Sequence, residues 1–254
     1  FKQKTAYEIY QCDWSSDVCS SDLEDASHAI GGQYKREPIG NCRYSDITVF
    51  SFHPVKIITT AEGGMAVTND AELAHAMALL RSHGITRDEA QMSHASDGPW
   101  YYQQIELGFN YRMTELQAAL GLSQMQRLDA FVAQRHALAQ RYDALLTDLP
   151  LVTPWQHPDS HSGLHLYVVR LRLDLIHKTH REVFEGLRAQ GIGVNVHYIP
   201  VHTHPHYARM GFAENDYPHA QQYYAEAISL PMYQDLTHAQ QDYVVASLHK
   251  ELCV

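Results

Sequence analysis

The sequence predicts a layered α/β protein, and three kinds of local pattern lead there. Short β-branched and aromatic runs have strand length, stretches of helical period lie between them, and cap or turn residues mark the joints. Ile47–Phe52 (ITVFSF) ends at His53-Pro54 and reads as a buried strand. Met65–Thr68 is a second apolar run, entered through Gly63-Gly64 and closed by Asn69-Asp70. Ala71–Ser82 reads as a helix with Leu73, Ala76, Met77 and Leu80 on one stripe and Gly84 just past its end. Arg87–Gly98 is polar and aperiodic, which predicts a mobile surface loop.

A long helical stretch follows, opened by a capping box at Thr114 and Gln117 and ended by Pro150. Leu116, Leu120, Leu128, Phe131, Leu138 and Leu145 keep near-helical spacing along it. A domain boundary is placed near Arg127, inside or between the helices of this stretch, giving a larger domain over 24–127 and a smaller one over 128–254. In the latter, Leu166–Arg172 reads as a strand, Thr179–Gln190 as a helix stopped by Gly191, and Ile192–Tyr198 as another strand. A helix from Pro218 to Ile228 and a last one capped by Thr237 and Gln240 close the chain.

Composition narrows the function classes. The 254 residues are 45% hydrophobic and carry 19 Lys+Arg against 29 Asp+Glu, a net charge of −10. That balance argues against a nucleic-acid or anionic-membrane surface, and no run of eighteen apolar residues is present to span a membrane. Residues 1–23 stand apart: Lys2–Ile9 and Asp13–Leu23 closely resemble a translated sequencing adapter, the alternative being a polar loop stapled by Cys12 and Cys19. Beyond them only Cys42 and Cys253 remain, too few for a disulfide framework, so the chain reads as a protein of a reducing compartment, the cytoplasm.

The stretch Glu24–Asp70 carries the chemistry. Lys56 stands just beyond the strand Ile47–Phe52, five residues after Ser51. At the mouth of a buried strand, desolvation lowers a lysine from its usual pKa of about 10.4 and frees the amine for Schiff-base chemistry. Spacing alone favours the plainer alternative, an exposed lysine in a β-loop. Asp25, after Glu24, falls where a strand would end; a carboxylate there can keep a pyridine nitrogen protonated, or simply cap a helix. Ser51 can bond a phosphate or satisfy backbone at a strand end.

EDASHA, SFHPVKxITTAEGG and GFNYRMTELQAALG, in that order, resemble the pyridoxal-phosphate-dependent sugar aminotransferases of the DegT/DnrJ family, over essentially the whole chain from Glu24. The resemblance implies an aspartate aminotransferase-like (fold type I) architecture with an N-terminally truncated large domain. It makes Lys56 the catalytic lysine that links to the cofactor, Asp25 the partner of the pyridine nitrogen and Ser51 a phosphate ligand. His28 falls beside the cofactor ring, and Asn110 reaches the cofactor phosphate of a neighbouring subunit, which implies a homodimer with shared active sites. Within the family, RSHGITR, WYYQQIELGFNYRMTELQAALGLSQ and NVHYIPVH are similar to the branch that aminates C4 of a UDP-linked 4-keto-6-deoxy-N-acetyl sugar in pseudaminic acid biosynthesis, with L-glutamate as donor. His83, Arg112, His197 and Tyr198 are the substrate-contact candidates. Amination of another nucleotide sugar is the neighbouring possibility.

Two further expectations follow. The family's N-terminal portion supplies part of the large domain, so the chain as given is expected to bind pyridoxal phosphate poorly and fold badly. The 18 histidines include His202-x-His204-x-His206, which on a strand would share one face and suit a metal, but Pro205 interrupts the run and favours a polar loop without metal.

Overall fold

The computed structural model describes residues 22–252. The adapter-like blocks up to residue 21, the Cys12 and Cys19 pairing and Cys253 lie outside the described residues. In chain order the strands and helices are β1 (Leu23–Asp25), β2 (Gln33–Tyr34), β3 (Glu37–Pro38), β4 (Ile47–Ser51), β5 (Gly64–Val67), α1 (Ala71–Arg81), β6 (Ile85–Thr86), β7 (Gln103–Gln104), α2 (Glu115–Met125) and α3 (Leu128–Leu145). Then come β8 (Leu151–Val152), β9 (Ser160–His161), β10 (Tyr167–Leu171), α4 (His180–Ala189), α5 (Pro205–Ala208), α6 (Pro218–Glu226), β11 (Ala227–Leu230) and α7 (His238–Leu252). The described chain divides into two compact units: 22–25, 40–49 and 66–112 form the first, and 26–39, 50–65 and 113–252 the second. The sequence boundary near Arg127 therefore falls inside the second unit.

In the first unit β1 runs parallel to β4, with Leu23 opposite Ile47 and Asp25 opposite Val49. The fully buried Thr48 donates its hydroxyl to the Glu24 carboxylate at 2.9 Å, which satisfies both groups inside the sheet. The Cys42 thiol donates to the Val67 carbonyl at 3.3 Å. Helix α1 starts where expected: the Asp70 carboxylate accepts from the backbone N–H groups of Glu72 and Leu73 at 2.8 and 3.0 Å. None of its residues is buried, so the apolar stripe of Leu73, Ala76, Met77 and Leu80 lacks a full cover among the described residues.

Gly84 turns the chain out of α1 with φ +68°, and a Cβ there would collide with the Glu106 carbonyl. Replacing it with alanine is expected to cost about 2–3 kcal/mol, from left-handed strain plus the backbone clash. A urea titration of Gly84→Ala within 0.5 kcal/mol of wild type, roughly the surface-substitution range, would refute this.

The second unit holds the main core. Strands β11, β10 and β8 form an antiparallel sheet with Tyr167 opposite Leu230 and Leu171 opposite Leu151. Alternate residues of β10 are buried, the signature of a strand with one wetter face. Leu138, Tyr142 and Leu146 of α3 and its end, Val183 and Leu187 of α4, and Val244 and Leu248 of α7 close over Val169, Leu171 and Ile228. Capping boxes at Thr114/Gln117, Thr179/Glu182 and Thr237/Gln240 start α2, α4 and α7.

The stretch from Thr114 is two helices, with the ladder broken at Gln126-Arg127, so the point marked near Arg127 lies between them. Two expectations need correction. The helix from Pro218 stops at Glu226, and Ala227–Leu230, buried at all four positions, is a sheet strand; a fully buried strand shows no alternation and reads like the end of a helix. Ile192–Tyr198 is not a ladder strand but touches β11 through one bridge, Asn195 with Ser229. Val201–Thr203 is a 3-10 turn, so the three alternating histidines do not share a strand face, and buried His202 bonds the Glu214 carbonyl at 3.0 Å. Among the described residues no helix is long and apolar enough to cross a membrane.

Candidate active site around Lys56

Lys56 is half-buried in the turn that leaves β4, its backbone N–H donating to the His53 carbonyl at 3.0 Å. Ile57 and Ile58, both buried, pin the turn from the core side. The following ITTAEGG segment is docked on α2. The Thr59 N–H donates to Gln124 Oε1 at 2.9 Å, Gln117 Nε2 donates to the Glu62 carbonyl at 3.0 Å, and Gly121 leaves room for Thr60. The ELQAALGLSQ helix and the loop after the lysine are thus one built object. Gln124 was not singled out in the sequence, where nothing distinguishes it from a solvated glutamine.

His28, Lys56 and His197 meet electrostatically around a residue that sequence reasoning missed, His165. Its ring lies 4.4 Å from that of His28, tilted by 58°. Burial, then His28, Lys56, Arg135 and His197, pushes the His165 pKa down to about 3. Burial, then the Lys56 amine, also lowers His197, whose Nδ1 pairs with Ser229 Oγ at 2.7 Å. Both imidazoles are held neutral beside a cationic amine. Arg135, 4% exposed, donates through Nη1 to the carbonyls of Leu164, His165 and Met232 at 3.1, 3.2 and 3.1 Å. The only signal for His165 is a polar side chain between Leu164 and Leu166, and Arg135, between Gln134 and His136, carries none.

The remaining candidates distribute as follows. Ser51, half-buried, ends β4 and its Oγ accepts from the His53 N–H at 3.5 Å. Tyr198 is exposed, with its ring edge-on to His197 at 4.5 Å. Asp25, His83, Asn110 and Arg112 belong to the first unit. There Asp25 ends β1, and the His83 N–H donates to the Phe109 carbonyl at 2.8 Å, next to the bridge of Ser82 with Asn110. Asn110 and Arg112 are exposed.

The depressed histidines give a pH signature. Above the unfolded pKa of about 6.5 both states are neutral and stability is flat. Below it the unfolded chain binds protons that the native His165 refuses until about pH 3, so stability falls as pH falls. Discounted for residual solvation, a loss of about 1–2 kcal/mol is expected from pH 6.5 to 4.5. Urea midpoints of wild type and His165→Phe across that range should diverge in acid, the wild type falling more steeply; parallel curves would refute it.

The DegT/DnrJ/EryC1/StrS aminotransferase family matches residues 21–249, and the chain belongs to this family. The match begins at Ser21, inside the segment set aside as adapter-like. The spore coat polysaccharide biosynthesis protein SpsC of Bacillus subtilis is 39% identical over 89% of the chain and 58% of its own length. The UDP-4-amino-4,6-dideoxy-N-acetyl-beta-L-altrosamine transaminase of Campylobacter jejuni is 36% identical over 84% of the chain and 54% of its own. Among solved structures, Helicobacter pylori PseC, an aminotransferase involved in pseudaminic acid biosynthesis, superposes with a TM-score of 0.80 at 32% identity, covering 91% of this chain and 59% of that one. The fold is therefore that of the type I sugar aminotransferases, and the chain spans about half the length of the curated relatives it matches.

The family's cofactor is pyridoxal phosphate, and the donor set fits it: a part-buried lysine, a hydroxyl at the strand end before it, and the His28 imidazole in the same unit. No group of three metal-ligating side chains competes for the site among the described residues.

Proposed function

We propose that this sequence belongs to a pyridoxal-phosphate-dependent transaminase that moves an amino group from L-glutamate to C4 of a UDP-linked 4-keto-6-deoxy-N-acetylhexosamine, in the cytoplasm. The observation that carries it is Lys56, part-buried on a turn locked to α2 and near enough to His165 and His197 to lower both imidazoles. Bound there, the cofactor supplies the electron sink that stabilises charge at the carbon losing its proton. The chain's own share is position and proton transfer. Lys56 holds the cofactor and, once released, its amine carries a proton from the donor carbon, then delivers one to C4 in the second half. Neutral His165 and His197 beside it do not compete for that proton. Asp25 keeps the ring nitrogen protonated, Ser51 holds the phosphate, and His28 covers a ring face. His83, Arg112, His197 and Tyr198 meet the sugar nucleotide.

A homodimer with Asn110 reaching the neighbour's phosphate is part of this proposal. Its support is the exposed position of Asn110 and the apolar side chains left on the surface of α2, where Leu116 is 86% exposed.

The test uses the full-length enzyme with glutamate and, separately, the two C5-epimeric UDP-N-acetyl-4-keto-6-deoxy sugars, reading product mass and C4 stereochemistry. Turnover of the L-arabino epimer alone is expected. Preference for the D-xylo epimer would move the assignment to a different amino-sugar route, and cofactor bound at Lys56 without turnover of either would reject the substrate class.

A further inference from the structure

His165 is the buried titratable group of the site that the chemistry above leaves without a task of its own. It is 8% exposed, and its carbonyl is gripped by the Arg135 guanidinium at 3.2 Å. Its Nδ1 is sealed from solvent and has no hydrogen-bond partner among the described residues. A sealed, unpaired nitrogen costs stability that a phenylalanine of similar shape does not, so packing alone does not account for a histidine here. Nor is it a proton carrier: burial and the surrounding cationic groups keep the ring uncharged through the neutral range. What remains is a neutral imidazole, with one donor and one acceptor nitrogen in fixed directions, in ring contact with His28 at 4.4 Å.

We propose that His165 is a positioning residue of the transamination site, which orients the His28 ring by ring contact and by a hydrogen bond through its own Nδ1 when the site is loaded. This rests on the assignment of His28 to a face of the pyridoxal ring. His165 does not touch the reacting atoms; it acts through His28. A ring held at a fixed angle over the cofactor fixes the cofactor's tilt, and tilt errors are expensive at the bond being broken.

The experiment compares wild type, His165→Phe, His165→Asn, His28→Leu and the His28→Leu/His165→Phe pair in the full-length, cofactor-loaded enzyme. Thermal midpoint, kcat, KM for the donor, and visible-band circular dichroism per bound cofactor are read for each. His165→Phe should be as stable as wild type or more so, because the orphaned nitrogen is gone. It should nevertheless lose about tenfold in kcat with KM within about twofold, and show a clearly reduced visible dichroism. His165→Asn, which keeps a polar atom near the position of Nδ1, should remain within about threefold of wild type. The pair should be no slower than His28→Leu alone within about twofold, as coupling through His28 requires.

Wild-type kcat and dichroism in His165→Phe would overturn the inference. So would a lowered thermal midpoint or failure to fold, which would make the residue a core element, or multiplicative losses in the pair. Failure of the broader functional reading shows elsewhere, as a wild-type enzyme in which reductive trapping finds no cofactor on Lys56.

Discussion

Lys56→Ala in the full-length enzyme is expected to lose turnover by at least about three orders of magnitude. Proton transfer by a placed side chain alone contributes about 10²–10⁴-fold, and the same amine is the covalent anchor. Stability should hardly move, because the side chain is half-buried while its neighbours Ile57 and Ile58, buried at 3% and 1% exposure, do the packing. The measurement is a single-turnover assay with glutamate, beside far-UV circular dichroism and peptide mass after reductive trapping. Appreciable catalysis by the alanine variant would remove Lys56 from the mechanism, and the proposed chemistry with it.

Arg135→Ala is expected to be the most damaging single change to the second unit, at about 3–5 kcal/mol. One guanidinium nitrogen serves three carbonyls, from Leu164, His165 and Met232, which tie α3 to the segment entering β10 and to the chain leaving β11. Alanine strands all three in a buried setting, where each unsatisfied group carries its full desolvation penalty. For a chain of this size the thermal midpoint should fall by about 10 °C. The site should loosen as well, since the carbonyl that Arg135 holds at 3.2 Å is that of His165. A calorimetric midpoint within 2 °C of wild type, less than about 1 kcal/mol, would show that water takes over the carbonyls and that the clamp carries little.

Local chemistry made much of the fold legible. Asp70, Thr114, Thr179 and Thr237 announce helix starts because a side-chain oxygen three residues from an orphan N–H is a short-range arrangement, written in the sequence itself. The β4 strand is legible for the same reason, because a β-branched run needs no partner to be recognised, whereas spacing alone favours a plain loop residue for the lysine after it. β11 was hidden because a strand buried on both faces has no period to show.

The site divides along the same line. The EDASHA, SFHPVK and GFNYRMTELQ stretches, in that order, resemble the family's motifs, and it is that resemblance which names Lys56, Asp25, His28, Ser51 and Asn110 as candidates. Nothing in the spacing could say that Gln117 and Gln124 of α2 hold the loop behind Lys56, across 55 and 65 residues of chain. Nor could it say that His165 lies against His28, or that Arg135 grips the backbone on which His165 sits. Caps, strand runs and motif order are interactions among near neighbours, so the linear sequence specifies them directly. The protonation state of an imidazole and the partners of a buried guanidinium depend on which distant groups share the same small volume of low dielectric, and only the folded chain brings those groups together.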